Sequence, residues 1–344
     1  MQADRLTSNE RVTVFGAYGH TGRFVVAELR KRGWTPVLSG RKLSKLLAEA
    51  EGHSGAEVRV ANVEDPVSLD TAISGSNAVI NCAGPFLDTA IPMIEAAIRS
   101  GVHYLDVAAE QAAVLDVFDR FQADQRVKSV VIAPAMAFYG GLGDLMATAA
   151  MGEWDSADEI TIAVALDSWK PTRGTRLTGQ RNPGRRFIFS NSRLERADPP
   201  QGRKWVFPAP FGEHQVVPLS LAETITISRH LRTPEIRVFM NLAPLADLRN
   251  PDTPPPAPAD ESGRSSQIFV MDVVARRGRR ERRVVARGQD IYAVTAPIVV
   301  EAAQRVVAGA TRKTGVVAAG EAFDARDFLN SLGPAQIHVD FHAD

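Results

Sequence analysis

Cysteine is nearly absent: Cys82 is the single one in 344 residues. One thiol cannot build an intrachain disulfide framework or a multi-cysteine metal site, and it suits a reducing compartment. Net charge is absent too, because 40 lysines and arginines balance 40 aspartates and glutamates. No global field is left to gather nucleic acid or an anionic membrane surface. No uncharged apolar run reaches the ~18 residues that a membrane helix needs. The polar stretch Met1 to Glu10, with Asp4, Arg5 and Glu10, lacks the basic-then-apolar order of a secretory signal. His214 and His230 stand alone, without metal-ligand spacing to another His, Cys or carboxylate. These absences predict a cytoplasmic protein without metal, nucleic-acid or membrane binding, whose partners are a small-molecule substrate and a second copy of itself in a homodimer.

What is present is an alternation. From Arg11 to Val131 short apolar runs alternate with helical patterns, which predicts βαβ units and a parallel sheet. The predicted strands are Val12–Phe15, Thr35–Ser39, Glu57–Ala61, Ala78–Cys82, His103–Val107 and Val130–Ala133. Thr21–Arg32 and Ile91–Ser100 read as helices that stop at Gly33 and Gly101. After Ala133 the pattern changes. Phe138–Met151 starts at the glycines Gly140, Gly141 and Gly143 and continues as a helix, and Glu159–Leu166 alternates like a half-buried antiparallel strand. Gln267–Arg276 and Arg283–Arg287 read as two strands joined around Gly278. Strands without intervening helices indicate an antiparallel or mixed sheet, hence a different domain. Asn250–Ser265, with five prolines, is expected to be a mobile loop, and Pro297–Ala310 a helix whose apolar stripe packs back on the first domain.

Val12 to Gly22 is a strand, a glycine turn and a helix start, in that order. A pyrophosphate can approach the backbone N–H groups at the positive end of a helix only where side chains do not intervene. Gly16 allows the tight turn, Gly19 the close approach and Gly22 the packing of helix on strand; Tyr18, His20 and Thr21 complete the loop. The end of the second strand should read the adenosine ribose, where an acid accepts the 2′-hydroxyl of NAD and repels the 2′-phosphate of NADP. Between Glu28 and Glu49 there is no acid, and the strand runs out into Ser39-Gly40-Arg41-Lys42. A guanidinium grips phosphate through two parallel charge-assisted bonds, so Arg41 is the expected 2′-phosphate ligand, assisted by Ser39 or Lys42. The cofactor is therefore expected to be NADP. Asn62 and Val63 after the third strand and Cys82, Ala83, Gly84 and Pro85 after the fourth complete the expected cofactor set, with Cys82 packed rather than nucleophilic.

Hydride transfer needs a proton donor near the accepting atom. Tyr104, Asp106, His103 and Glu110 lie near one strand end and His20 lies in the glycine loop; Tyr104, Asp106 and His20 are the catalytic candidates. Asp106 could equally cap the helix that begins around Gln111. Thr172-Arg173-Gly174-Thr175 and Pro208–His214 are candidate substrate contacts by position. The arginines Arg276, Arg277, Arg279, Arg280, Arg282 and Arg283 sit on a predicted hairpin turn without interleaved aromatics, which reads as a solvated turn and not a nucleic-acid patch.

Gly16 to Arg23, Ser39-Gly40-Arg41, Asn81-Cys82-Ala83-Gly84-Pro85-Phe86 and Ser100-Gly101-Val102-His103-Tyr104-Leu105-Asp106-Val107 resemble the saccharopine dehydrogenase-like family, including its smaller trans-acting enoyl reductase relatives. The resemblance is sharp over residues 11 to 146 and visible again at Gly288–Ala296 and Gly315–Leu332. It implies a nicotinamide-dependent oxidoreductase whose Rossmann domain is completed by a returning C-terminal segment, with the middle of the chain forming a sheet domain. Two features depart from the family: the middle lacks a long helical insertion of the saccharopine-forming members, and His20 stands where relatives carry tyrosine. The expected fold class is α/β, a Rossmann-type doubly wound parallel sheet with a second α+β domain of mixed or antiparallel sheet. The expected division is residues 1–135, 136–290 and a returning 291–344. The expected function is an NADP(H)-dependent oxidoreductase acting on a small imine, amino-acid-derived or enoyl substrate. The alternatives are an enoyl reductase acting in trans on a carrier-bound acyl chain and a non-catalytic NADP(H)-binding sensor.

Overall fold

The structure is a computed structural model describing residues 10–181, 186–196 and 201–343. The amino-terminal stretch considered above lies, apart from Glu10, outside the described residues. Among the described residues no helix is long and apolar enough to cross a membrane.

The first sheet is built from β1 (Arg11–Phe15), β2 (Thr35–Gly40), β3 (Glu57–Val60), β4 (Ala78–Asn81), β5 (His103–Asp106) and β6 (Val131–Ala133). Their helices are α1 (His20–Lys31), α2 (Leu43–Glu51), α3 (Pro66–Ile73), α4 (Phe86–Ser100) and α5 (Gln111–Phe121). All of these strand pairs are parallel, with β1 between β2 and β4. A parallel sheet must be covered on both faces, and alternate residues do this. Val12 and Val14 of β1 face the core containing Val25, Val26 and Leu29 of α1, whereas Phe15, Val79 and Tyr104 face Leu69 of α3 and Met93 of α4. Asp65 caps α3 by accepting from Val67 N and Ser68 N. Gly101 closes α4 at φ +64, where the left-handed conformation suits glycine.

The second sheet follows α6 (Gly143–Met151) and contains β7 (Glu159–Leu166), β8 (Ile188–Ser190), β9 (Arg193–Glu195), β10 (Arg203–Phe207), β11 (Gly212–Pro218), β12 (Ile236–Asn241), β13 (Ile268–Arg277) and β14 (Arg280–Gln289). Between these strands lie α7 (Arg173–Arg181), α8 (Ala222–Ser228) and α9 (Leu242–Arg249). The chain closes with α10 (Thr295–Val307), β15 (Gly315–Val316), α11 (Ala319–Ala322), α12 (Ala325–Ser331) and β16 (Ile337–Ala343). The main path of the second sheet runs β10-β11-β12-β7-β13-β14-β16. It is mixed: β12 and β7 are parallel, and the remaining neighbours are antiparallel.

The last segment serves both sheets. α10 packs against α1, where Arg32 binds both Glu301 and Gln304. β15 then adds a seventh parallel strand beside β6, while β16 joins β14. One apolar core runs continuously from α1 and β1 through α10 and α6 to β7, β12 and β13.

The parallel alternation and the α/β class are as the sequence predicts. Two local expectations are corrected. α4 begins at Phe86, five residues before the expected Ile91. The helix read after the glycines is α6, and Gly140, with φ of +94 and ψ of −91, breaks the turn at Phe138–Leu142 that precedes it. β7 is antiparallel to β13 as expected but is not a half-buried strand: it is central, pairs in parallel with β12 on its other side, and is buried on both faces from Ile160 to Leu166. The proline-rich segment 250–265 has no helix or strand and is tied down at several points. Asn250 O and Thr253 O accept from Arg176, Asp260 binds Arg264, and Ser265 N donates to Asp290 Oδ2. The arginines of the β13–β14 hairpin largely serve local pairs: Arg276 with Glu159 and Glu281, Arg277 with Asp155, and Arg283 with Asp272.

Candidate functional site

At the carboxyl edge of the first sheet the backbone leaves no room for side chains. Gly16 has φ +87 and donates its N–H to Ser39 O at 2.8 Å, and Gly19 N donates to Gly16 O at 2.9 Å. A Cβ on Gly22 would lie 2.2 Å from Gly16 O, and one on Gly16 would lie 3.0 Å from Ala83 and Cys82. The loop is therefore locked between β2 on one side and the end of β4 on the other. The amino end of α1 is open, since Gly19 at its N-cap makes no side-chain capping bond.

On the β2 side, the Ser39 hydroxyl is buried without a hydrogen-bond partner. The Tyr18 ring covers Gly40, where a Cβ would stand 2.8 Å from its Cε1, and Lys45 Nζ lies 5.7 Å from the ring centre. Arg41 and Lys42 are exposed, and neither forms an ion pair among the described residues. Asn62 is exposed after β3 and accepts from Glu64 N, while Val63 packs against the core under α3 and α4.

On the β4 side, Asn81 Oδ1 accepts from Ala83 N, and its Nδ2 donates to Thr89 and Tyr104. Gly84 and Pro85 turn the chain into α4. Burial, together with the charge of Asp106, pushes the Cys82 thiol well up, so it is a poor nucleophile, as expected for a packed cysteine. His20 sits edge-on between Phe24 and Tyr292, at ring separations of 5.4 and 5.3 Å, with Nε2 buried and unpartnered. Burial pulls its pKa down against the charge of Asp290, which favours the neutral ring.

Two catalytic candidates are not where a substrate could reach them. Tyr104 is 0% and Asp106 1% exposed, and the tyrosine hydroxyl donates to Asp106 Oδ2 at 2.8 Å. Asp106 does not cap α5. Its Oδ1 accepts from Ala108 N and Ala135 N and so ties the ends of β5 and β6 together. Burial raises the Asp106 carboxyl despite those two N–H donors, and it raises the Tyr104 phenol as well. The pair positions the two strand ends. His103 is likewise occupied, its Nδ1 accepting from Val131 N.

Several groups at this edge carry no local motif. Tyr292 OH bonds Trp169 Nε1 and Thr175, reaching across to α7. Arg176 holds α7 to the segment at Asn250 and Thr253, and a reciprocal pair of bonds joins Gln111 to Phe187 beyond it. Thr178 of α7 stands over Gly84, its hydroxyl 3.3 Å from where a Cβ there would be. Glu223 accepts from Gly140 N and Leu221 N, and burial holds its carboxyl up at about 7. Of the positional candidates in the second domain, Thr172 and Thr175 reach this edge, whereas Phe211 and His214 pack with Phe207 on the far side of the second sheet. Among the described residues no group of three His, Cys, Asp or Glu side chains could hold a metal ion.

The fold and this edge define a Rossmann-type dinucleotide domain joined to a mixed-sheet domain. Residues 12–128 match the saccharopine dehydrogenase NADP binding domain, so the domain is of that type and its cofactor is NADP. Saccharopine dehydrogenase-like oxidoreductase of Bos taurus is 26% identical over 145 residues, which is 37% of this chain and 34% of that protein. Its Homo sapiens counterpart is 29% identical over 117 residues, 29% of this chain and 27% of that protein. The chain thus matches only about a third of the length of these relatives. Apo histidine-tagged saccharopine dehydrogenase (L-Glu forming) from Saccharomyces cerevisiae shares the fold over 97% of this chain and 100% of its own, with a TM-score of 0.68 at 12% identity.

Proposed function

We propose that the protein is an NADP(H)-dependent oxidoreductase of the saccharopine dehydrogenase-like type, acting on a small polar imine, amino-acid-derived or enoyl substrate. The observation that carries the reading is the pairing of a side-chain-free glycine loop with exposed, unpaired Arg41 and Lys42 at the end of β2. The site fits the cofactor on its own terms. Gly16, Gly19 and Gly22 open the amino end of α1 to a pyrophosphate, the unpartnered Ser39 hydroxyl and Arg41 suit a 2′-phosphate, and Gly84 keeps the turn beyond β4 free of a side chain beneath Thr178. When bound, the cofactor supplies or accepts the hydride. The chain's own contribution is to orient it and to present polar groups, among them Thr175, Thr178 and Tyr292, to a substrate. That polar lining favours a small substrate over an acyl chain on a carrier arm. The composition further suggests a cytoplasmic homodimer; size-exclusion chromatography with light scattering tests the dimer.

The cofactor half is tested by calorimetry with NADPH and NADH. A charge-assisted pair between Arg41 and the 2′-phosphate contributes roughly 1.5 to 3 kcal/mol. Arg41→Ala should therefore weaken NADPH binding about tenfold to hundredfold and leave NADH binding nearly unchanged. Equal affinity of the unmodified protein for both cofactors would remove the assignment.

A further inference from the structure

Glu110 ends the loop after β5 and lies directly behind the Gly84-Pro85 turn. Its Oε1 accepts from Phe86 N, the first N–H of α4, at 3.0 Å, and the residue is 5% exposed. Glu110 is also the N-cap residue of α5. The carboxyl thus sits between the amino ends of two helices, both of which favour its anion. Burial outweighs them and pushes it up to about 7, with the Phe86 N–H and the Thr178 hydroxyl acting in the opposite direction. Asp106, on the strand before it, adds to the rise and Tyr104 couples to it. From the elements packed against it, Asp88 of α4 and Arg181 of α7 pair with each other. No cation pairs with Glu110 among the described residues.

Its place in the sheet gives this carboxyl a role. Arg41 and Ser39 stand at the end of β2, on one side of β1; β4 and β5 stand on the other. In an open parallel sheet whose order reverses between β1 and β4, the adenosine half of a dinucleotide lies over β2 and β3 and the nicotinamide half over β4 and β5. Glu110 backs that second half, with Thr178 of α7 on its open side.

We propose that Glu110 is the charge partner of the nicotinamide half of the site, favouring the oxidised, cationic ring as a carboxylate and the reduced, neutral ring as a carboxylic acid. The proposal rests on the NADP(H) reading above and goes beyond it by naming the residue that makes the choice between NADP+ and NADPH depend on pH. By linkage, a proton lost from Glu110 must strengthen NADP+ relative to NADPH by the amount that NADP+ promotes that loss.

The test is binding, not turnover. Dissociation constants for NADP+ and NADPH are measured by calorimetry and by NADPH fluorescence, and their ratio is taken at each pH. The 2′-phosphate titrates in both ligands and cancels in the ratio. The preference for NADP+ should rise about tenfold between about pH 6 and about pH 8.5 in the unmodified protein. Glu110→Gln keeps an acceptor for Phe86 N and should make the ratio flat. Thr178→Val removes a hydroxyl that favours the anion, so the midpoint of the rise should move to higher pH. A flat ratio in the unmodified protein, an unchanged slope in Glu110→Gln, or an unmoved midpoint in Thr178→Val would overturn the role of Glu110 while leaving the NADP(H) reading intact. Binding of neither cofactor at either pH would overturn both.

Discussion

Gly22→Ala is expected to lose NADPH binding altogether and to cost about 3 kcal/mol of stability or more. The added Cβ would stand 2.2 Å from Gly16 O and 2.9 Å from Ala17 O, and both are backbone atoms that cannot swing aside. Relief requires either the glycine loop or α1 to move. The loop is held by two bonds to Ser39 O, from Gly16 N and Ala17 N. The helix is held by Val25, Val26 and Leu29, all fully buried against β1. Either movement opens a packed core and displaces the N–H groups that a pyrophosphate would meet. Gly33→Ala is the control: φ is +79 there, but no atom lies within 4 Å of the added carbon, so only backbone strain of roughly 1 kcal/mol applies. Chemical denaturation measures the stability and calorimetry the binding. A Gly22→Ala protein that unfolds at the unmodified midpoint would show that α1 adjusts at no cost and that the tight approach has no role.

The second large effect lies at Asp144. This carboxylate is fully buried in α6, lies 2.6 Å from His230 Nε2 just beyond α8, and accepts from Gly320 N of α11. Removing one partner of a buried pair leaves the other without compensation, so Asp144→Ala should cost about 3 to 5 kcal/mol. The pair also predicts a pH dependence. Burial alone would lower the His230 pKa, but the charge of Asp144 and its hydrogen bond, aided by Glu321, together raise it. A histidine raised on folding contributes stability that is fully present below its ordinary pKa of about 6.5 and lost as pH rises through the folded value. Unfolding free energy should therefore decline from mildly acid toward alkaline pH through His230. His230→Gln should remove that part of the slope. Identical slopes in the two proteins would mean that folding does not shift the pKa of His230, and a slope of opposite sign that the fold holds it neutral.

The parallel sheet was legible because each of its strands is a short apolar run followed by an amphipathic helix. A pattern of that kind depends only on neighbours in sequence. The start of α4 was misread because Pro92 looks like the proline of a first helical turn, whereas it sits inside a helix that begins at Phe86. The three glycines ahead of α6 were legible as the start of that helix, but not that Gly140 must avoid Ala135 O, 2.6 Å from where its Cβ would be. Tyr104 and Asp106 were read near one strand end, and in the structure they share one face, the Tyr104 hydroxyl donating to Asp106 Oδ2. That this face lies under α4 and α5 and not in the cleft depends on packing no local pattern encodes. Thr178 reaches Gly84 across 94 residues of chain, Tyr292 reaches Thr175 across 117, and Asp144 reaches His230 across 86. Glu110 was visible near the strand end, but its burial behind Gly84 and Pro85 was not.

The split of the last segment between the two sheets bears on how the chain can fold as it is made. The first sheet lacks its outer strand until Gly315 has emerged, and the second lacks its outer strand until Ile337 has. A nascent chain with residues 11 to 133 already outside the ribosome therefore still presents β6 as a free edge and α1 without α10 over it. Such edges invite pairing with other chains. Vectorial synthesis would leave the first sheet unfinished until Val316 and the second until Ile337, and a chain stopped before Gly315 should be recovered bound to chaperones or aggregated, not as a soluble dinucleotide domain.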